Sequence, residues 1–142
     1  MPLPENPPQG RLPFPVPAQY SPEFRAFWEL WRAEKFWACH EALEELWRAE
    51  KCHSRRRFLQ GMVHLCAAVF QHRRGNAKGA ARQWVRARVR LEPFLPRHEN
   101  LEIEAMLRGV ESEIAPSLAQ PHEGLKELET QLRQKLNGET SR

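Results

Sequence analysis

The charge-free stretch LQGMVHLCAAVFQH, residues 59–72, constrains this chain more than any other. At ~100° per residue its Leu, Met, Val, Cys and Phe side chains sweep over more than half of a helical circumference. A helix that is apolar nearly all round has to be wrapped by other elements. Two His and two Gln interrupt the run, and it falls short of the ~18 uncharged apolar residues of a membrane span. It is therefore expected to be the central helix of a soluble bundle.

The flanking sequence supplies the wrapping. Ser21, Pro22 and Glu23 form a helix start, and Phe24, Phe27, Trp28 and Trp31 follow at helical spacing to about Ala33. A second helix runs from Phe36 to about Ala49, and KCHSRRR reads as a connection. The third spans about Arg56 to Arg74 and stops at Gly75. Asn76 caps a fourth, which extends to about Leu95 with Pro93 distorting its last turn. Two more are expected at about Leu101–Ile114 and His122–Leu136, separated by APSLAQP. Alternating strand patterns and hairpin dipeptides are missing. The expected fold is a single-domain all-α bundle of five to six helices over residues 21–137. A proline-rich arm, residues 1–20 with seven prolines, precedes it, and residues 138–142 read as a disordered tail.

The 142 residues suffice for one domain with a real core. Three cysteines without C-x-x-C spacing suggest neither a disulfide framework nor a zinc knuckle. With no signal-peptide pattern at the N-terminus, a reducing cytoplasm is the expected location and no membrane association is expected. All 18 acids are Glu, and Arg outnumbers Lys seventeen to five, a bias that favours helix.

The second helix carries FWACHEALEELW, an H-E-x-x-E motif. On a helical wheel His40 falls between Phe36 and the Leu43/Trp47 pair, in the middle of the apolar stripe. Glu44 sits on the shoulder of that face, whereas Glu41 and Glu45 turn progressively outward. On the third helix Gln60 and His64 share one uncharged polar stripe, and His72 lies nearer the apolar side. Buried amides and imidazoles need partners, because an unsatisfied one costs about 1–3 kcal/mol. His40/Glu44 and Gln60/His64 are therefore expected to face each other and to share hydrogen bonds, water or a ligand. The pocket candidates are His40, Glu41, Glu44, Gln60, His64 and His72.

F-W-x-x-H-E-x-L-E-x-x-W, then F-L-Q-G-x-x-x-x-x-A-A, then H-x-x-G-N-x-x-G-A resembles the small helical bacterial and archaeal family called domain of unknown function 309. The similarity covers about residues 21–97. It implies an all-helical bundle with His40, Glu41, Glu44, Trp47, Gln60, Gly61, His72, Gly75, Asn76 and Gly79 at the family's signature positions. It implies no activity, since none is assigned to the family.

Specific chemistries fit the motif poorly. A zincin requires H-E-x-x-H, and here Glu44 stands at the last position. Ferritin-like di-iron sites require two Glu-x-x-His motifs on separate helices, and the only such spacing is Glu50/His53. No cofactor is expected, with a single Zn²⁺ on His40, Glu44 and His64 as the alternative. A histidine on an apolar face is more often a hydrogen-bonded core residue than a ligand, which favours structure over metal. Covalent catalysis is not expected, because Cys39 points away from His40 and Cys66 reads as core.

Residues 51–98 hold twelve Lys/Arg and one acid, Glu92. Lys78, Arg82, Arg86 and Arg90 recur every four residues and predict a continuous basic stripe on the outer face of the fourth helix. Such a stripe suits phosphate backbones. No aromatic interleaves it, and a solvated face is the favoured reading. The leading expectation is thus a non-catalytic module that binds a small ligand or a protein partner. A metal-dependent or acid–base enzyme on the same residues and a nucleic-acid binder on the basic stripe are the rivals. The aromatic first helix makes a homodimer plausible.

Overall fold

The computed structural model describes residues 22–99 and 101–140, apart from the side chains of residues 22–24 and 140. The proline-rich arm, the Ser21 cap and residues 141–142 lie outside the described residues. The described residues form an all-α bundle of six helices: α1 Pro22–Arg32, α2 Phe36–Ala49, α3 His53–Arg73, α4 Ala77–Leu91, α5 Ile103–Leu118 and α6 Leu125–Thr140. A single 3-10 turn, Glu92–Phe94, follows α4 where Pro93 cannot donate to the helical ladder.

Helix α3 is the axis of the fold. It packs against α2, α4 and α5, while α1 joins α2 and α6 lies against α4. Phe58, Leu59, Met62, Leu65, Cys66 and Val69 of α3 are buried among Phe27, Trp28 and Trp31 of α1 and Cys39 and Leu43 of α2. Trp84 and Leu91 of α4 and Met106, Val110 and Ile114 of α5 close the same cluster. Phe27, Trp28 and Trp31 of α1 are thus buried within one chain. A smaller cluster, Val85 and Val89 with Leu132 and Leu136, attaches α6.

The α3–α4 junction follows its sequence signals closely. Gly75 adopts φ +83°. The Asn76 amide donates to the Gln71 carbonyl at 2.8 Å and the Gly75 amide to that of His72 at 3.0 Å. This is a Schellman ending, in which a glycine takes the left-handed position after the last turn. The Asn76 side chain then accepts from the Gly79 amide at 2.9 Å and starts α4.

Several boundaries differ from expectation. Helix α3 begins at His53, so most of KCHSRRR is helical. Arg55 is anchored to Glu50 at 2.7 Å, and Arg56 donates to the Trp47 and Glu50 carbonyls at the end of α2. Those contacts hold the basic run in its first turn. Helix α5 passes Ile114 and includes Pro116; the proline removes only one donor near the end, and Ala119 still donates to Ala115 at 2.9 Å. Helix α6 begins at Leu125 because His122 donates its Nε2–H to the Ser117 carbonyl, at 2.8 Å, and caps α5 instead. It continues through Thr140, so residues 138–140 of the expected tail are helical.

Candidate functional site

In α2 the residues Phe36, Cys39 and Leu43 are buried, and His40 and Glu44 stand on the edge of that face. His40 Nε2 lies 3.1 Å from Glu44 Oε1, and Glu44 Oε2 accepts from Arg48 at 2.9 Å. A carboxylate only accepts, so the His40 proton is on Nε2 and the Nδ1 lone pair is left over. Nδ1 is buried and has no hydrogen-bond partner. Trp37 stacks flat on the imidazole, with centroids 5.0 Å apart and planes 14° apart. The Trp37 ring also packs on Phe70, with centroids 5.1 Å apart, and the residue is half exposed. Glu41 and Glu45 are exposed.

His64 of α3 finds its partner on α4. Its Nδ1–H donates to Gln83 Oε1 at 2.6 Å, which fixes the tautomer and leaves Nε2 as the acceptor. Burial, and then the charges of Arg90 and Arg86 and the nearness of His40, push its pKa down to about 4 against the opposing Gln83 bond. The ring is therefore neutral at pH 7. His64 and Gln83 thus form a polar seam between α3 and α4, with His40 of α2 near enough to act on the His64 imidazole. Gln60, one turn earlier on α3, lines a separate small cavity with Trp47, Arg57 and Arg90.

His72 does not belong to the seam. Its Nδ1 pairs with Ser117 Oγ of α5 at 2.7 Å, and Ser117 is buried. It ties α3 to α5. Among the described residues no group of three or more His, Cys, Asp or Glu is placed to hold a metal ion. His40, Glu44 and His64 are accordingly not grouped as a three-ligand set; His64 turns its Nδ1–H to Gln83, and Glu44 is shared between His40 and Arg48.

Nor is a nucleophile presented. Cys66 Sγ donates to Cys39 Sγ at 3.4 Å, and Cys39 Sγ to the Phe27 carbonyl at 3.6 Å. Both thiols are buried, and burial pushes the Cys66 thiol well up, away from the reactive thiolate.

The basic stripe of α4 is not an outer face. Lys78 is exposed, Arg82 and Arg86 are half-buried, and Arg90 is buried with 6% of its surface accessible. Four residues turn a helix by about 400°, so a row of i, i+4 residues drifts by ~40° at each step. Over three steps the drift of about 120° carries the row from solvent at Lys78 to the α3 side at Arg90. Burial and then Arg86 lower the Arg90 pKa to about 10, with Arg57 adding to this and Glu139 opposing it.

Two residues were missed by the sequence reading. Gln83 lies between Arg86 and Arg90 and the α3-facing residues on the wheel, which marks it as a partner for the α3 polar stripe. Arg57 lies on the same face of α3 as Gln60 and His64, a relation that the helical period of the expected third helix, about Arg56 to Arg74, already contained.

Residues 24–83, which contain the seam from α2 to Gln83, match the model of one protein family, described as Domain of unknown function (DUF309). No curated protein and no solved structure matches.

Proposed function

We propose, for a chain that belongs to the domain of unknown function 309 family, that it is a non-catalytic module binding a small ligand beside His40 and Glu44. The observation that carries this reading is the His40 imidazole. Glu44 holds its orientation from one nitrogen, Trp37 covers its face, and the other nitrogen has no partner. An unsatisfied buried acceptor costs about 1–3 kcal/mol. A ligand that donates one hydrogen bond to Nδ1 and lies against the exposed part of Trp37 would recover that cost. His64 and Gln83 would flank it as a neutral pair.

Other facts weigh against chemistry here. A general base works best with a pKa near the ambient pH, and His64 is held near 4. The Cys39 and Cys66 thiols are sequestered with each other. A small molecule suits the surface better than a protein partner. Among the described residues Trp37 and Leu95 are the only large apolar side chains counted as exposed, too little for a protein-sized apolar patch.

The test is His40→Phe, which keeps the stack on Trp37 and deletes the orphaned nitrogen. Its unfolding free energy should equal or exceed that of the wild type. A fragment library followed by NMR should yield compounds that shift the Trp37 indole and His40 ring signals, and His40→Phe should abolish those shifts. A loss of more than about 1 kcal/mol in His40→Phe would make the imidazole a structural element. A library without a single compound acting on Trp37 and His40 would also end the reading.

A further inference from the structure

Several arginines among the described residues are matched with glutamate. Arg48, Arg55, Arg73, Arg88, Arg108 and Arg133 each hold a carboxylate. Arg90 is the exception that matters, because it is buried. Its Nη1 donates to the Arg86 carbonyl of its own helix at 3.3 Å, and its Nε is buried without a partner. A buried cation without a counterion is strongly destabilising, far more than a surface one.

The surroundings of Arg90 add positive charge. A cavity of about 210 Å³ is lined by Arg90, Arg56, Arg57, Gln60 and Lys135, with His53 and Trp47 at its edges and Glu139 as its one acid. Arg56 and Arg57 have given part of their donors to helix ends. Arg56 binds the Trp47 and Glu50 carbonyls of α2, and Arg57 binds the Val89 and Arg90 carbonyls of α4, both at 3.3 Å. Those contacts fix the two guanidinium groups in place. Helix α6 supplies Glu129 to Arg88, yet it presents Lys135 at the cavity of Arg90.

A second cleft adjoins the first and shares His53, Arg57 and Glu139 with it. Its volume is about 620 Å³, and its apolar wall is Pro93, Phe94 and Leu136. Together the two spaces fall in the range of about 300–1,000 Å³ typical of small-ligand sites. One end is cationic and recessed, the other apolar and open.

We propose that the cavity between α3, α4 and α6 holds the oxyanion head of a small phosphorylated organic ligand, with Arg90 as its buried counter-charge and the ligand's apolar body lying along Pro93 and Phe94. The guanidinium fork matches phosphate oxygens in geometry as well as charge. Gln60 supplies a neutral donor. The recess favours a terminal phosphate, which can enter it, over the internal phosphates of a duplex. This site is independent of the His40 seam, and either can fail without the other.

Calorimetric titration of the full chain at low salt, with inorganic phosphate, phenyl phosphate and a generic DNA duplex, tests it. Phenyl phosphate should bind saturably and at least about 10-fold tighter than inorganic phosphate, through its buried ring. Arg90→Met should reduce that affinity by at least about 10-fold, with thermal stability unchanged or raised, as expected when an unpaired buried charge is replaced by an apolar chain. Lys135→Met should weaken binding by roughly 3- to 10-fold, and Glu139→Gln should strengthen it by a similar factor. His40→Phe should leave it unchanged. The proposal is overturned if neither phosphate compound binds saturably, or if Arg90→Met folds and binds as the wild type does. Should Arg90→Met fail to fold, the Lys135 and Glu139 variants decide, and equal signs or no change in either overturns it. A duplex that displaces phenyl phosphate overturns it in favour of a nucleic-acid backbone.

Discussion

A Cβ added to Gly61 would stand 2.7 Å from both Cγ and Cδ2 of Leu91 and 3.3 Å from the Arg90 Cβ. Gly61 is thus the point where α3 and α4 touch backbone to side chain. Leu91 is wholly buried, so it has little room to retreat. Alanine normally gains about 1 kcal/mol over glycine inside a helix. Here the overpacking cost of about 1–3 kcal/mol works against it. Gly61→Ala should therefore lower the unfolding free energy by up to about 2 kcal/mol, and Gly61→Val by more, as read by urea denaturation. A stabilised Gly61→Ala would mean that α3 and α4 can separate freely.

A different constraint operates at Gly79. A Cβ there would lie 2.6 Å from Asn76 Nδ2 and 2.9 Å from its Cγ, inside the side chain that caps α4. Gly79 is needed by the cap and not by the helix. Gly79→Ala should cost about 1 kcal/mol in the wild type by expelling the Asn76 amide, close to the cost of Asn76→Ala itself. In the Asn76→Ala background the same Gly79→Ala substitution should become stabilising, by up to about 1 kcal/mol. A double-mutant cycle by thermal or urea unfolding reads this reversal of sign, and simple additivity would refute the cap-based account.

These two glycines also show what could be read from the chain directly. Ending α3 at Gly75 and starting α4 at Asn76 are local events, decided by residues within one turn of each other, so sequence patterns reveal them. The same holds for α2, whose ends at Phe36 and Ala49 follow its apolar stripe. Position along a row was harder. Lys78, Arg82, Arg86 and Arg90 look equivalent every four residues, but the row rotates, and only the placement of α3 shows which member is swallowed. The early start of α3 depends on Arg55 meeting Glu50 and Glu99 and on Arg56 meeting the end of α2, contacts that exist only once the helices are packed. Gln83 was invisible for the same reason: its role is set by His64 nineteen residues away.

The three thiols should separate sharply in reactivity. Cys39 and Cys66 are buried against each other, whereas Cys52 at the start of α3 is exposed. Burial disfavours the Cys66 thiolate, the form that attacks an aromatic disulfide reagent. Native protein at pH 8 should therefore react rapidly at Cys52 alone, and the two buried thiols should respond only at the rate of unfolding. Denaturant should release all three. Fast labelling of Cys66 in native protein, located by mass spectrometry, would show that the α2–α3 interface opens readily.

Stability should depend on pH through His64. Its ordinary pKa near 6.5 describes the unfolded chain, and burial together with Arg90, Arg86 and His40 lowers it to about 4 in the folded one. Between these values the unfolded chain holds a proton that the folded chain refuses. Acidification therefore favours unfolding: the contribution is complete above pH 6.5, falls as the pH drops toward 4, and is exhausted below that. A shift of this size corresponds to about 3 kcal/mol at most. His64→Gln keeps a neutral polar group opposite Gln83 and removes the titration. The wild-type unfolding free energy should thus fall by about 2–3 kcal/mol relative to His64→Gln between pH 6.5 and 4. Glutamates that titrate at the lower end are common to both proteins and cancel in the difference. Arg90→Met should shrink the effect, because the second cause of the lowered pKa leaves with that charge, while the larger contribution from burial stays. Parallel pH profiles for wild type and His64→Gln, measured by urea unfolding, would mean that the imidazole is open to water and that the seam between α3 and α4 is wet.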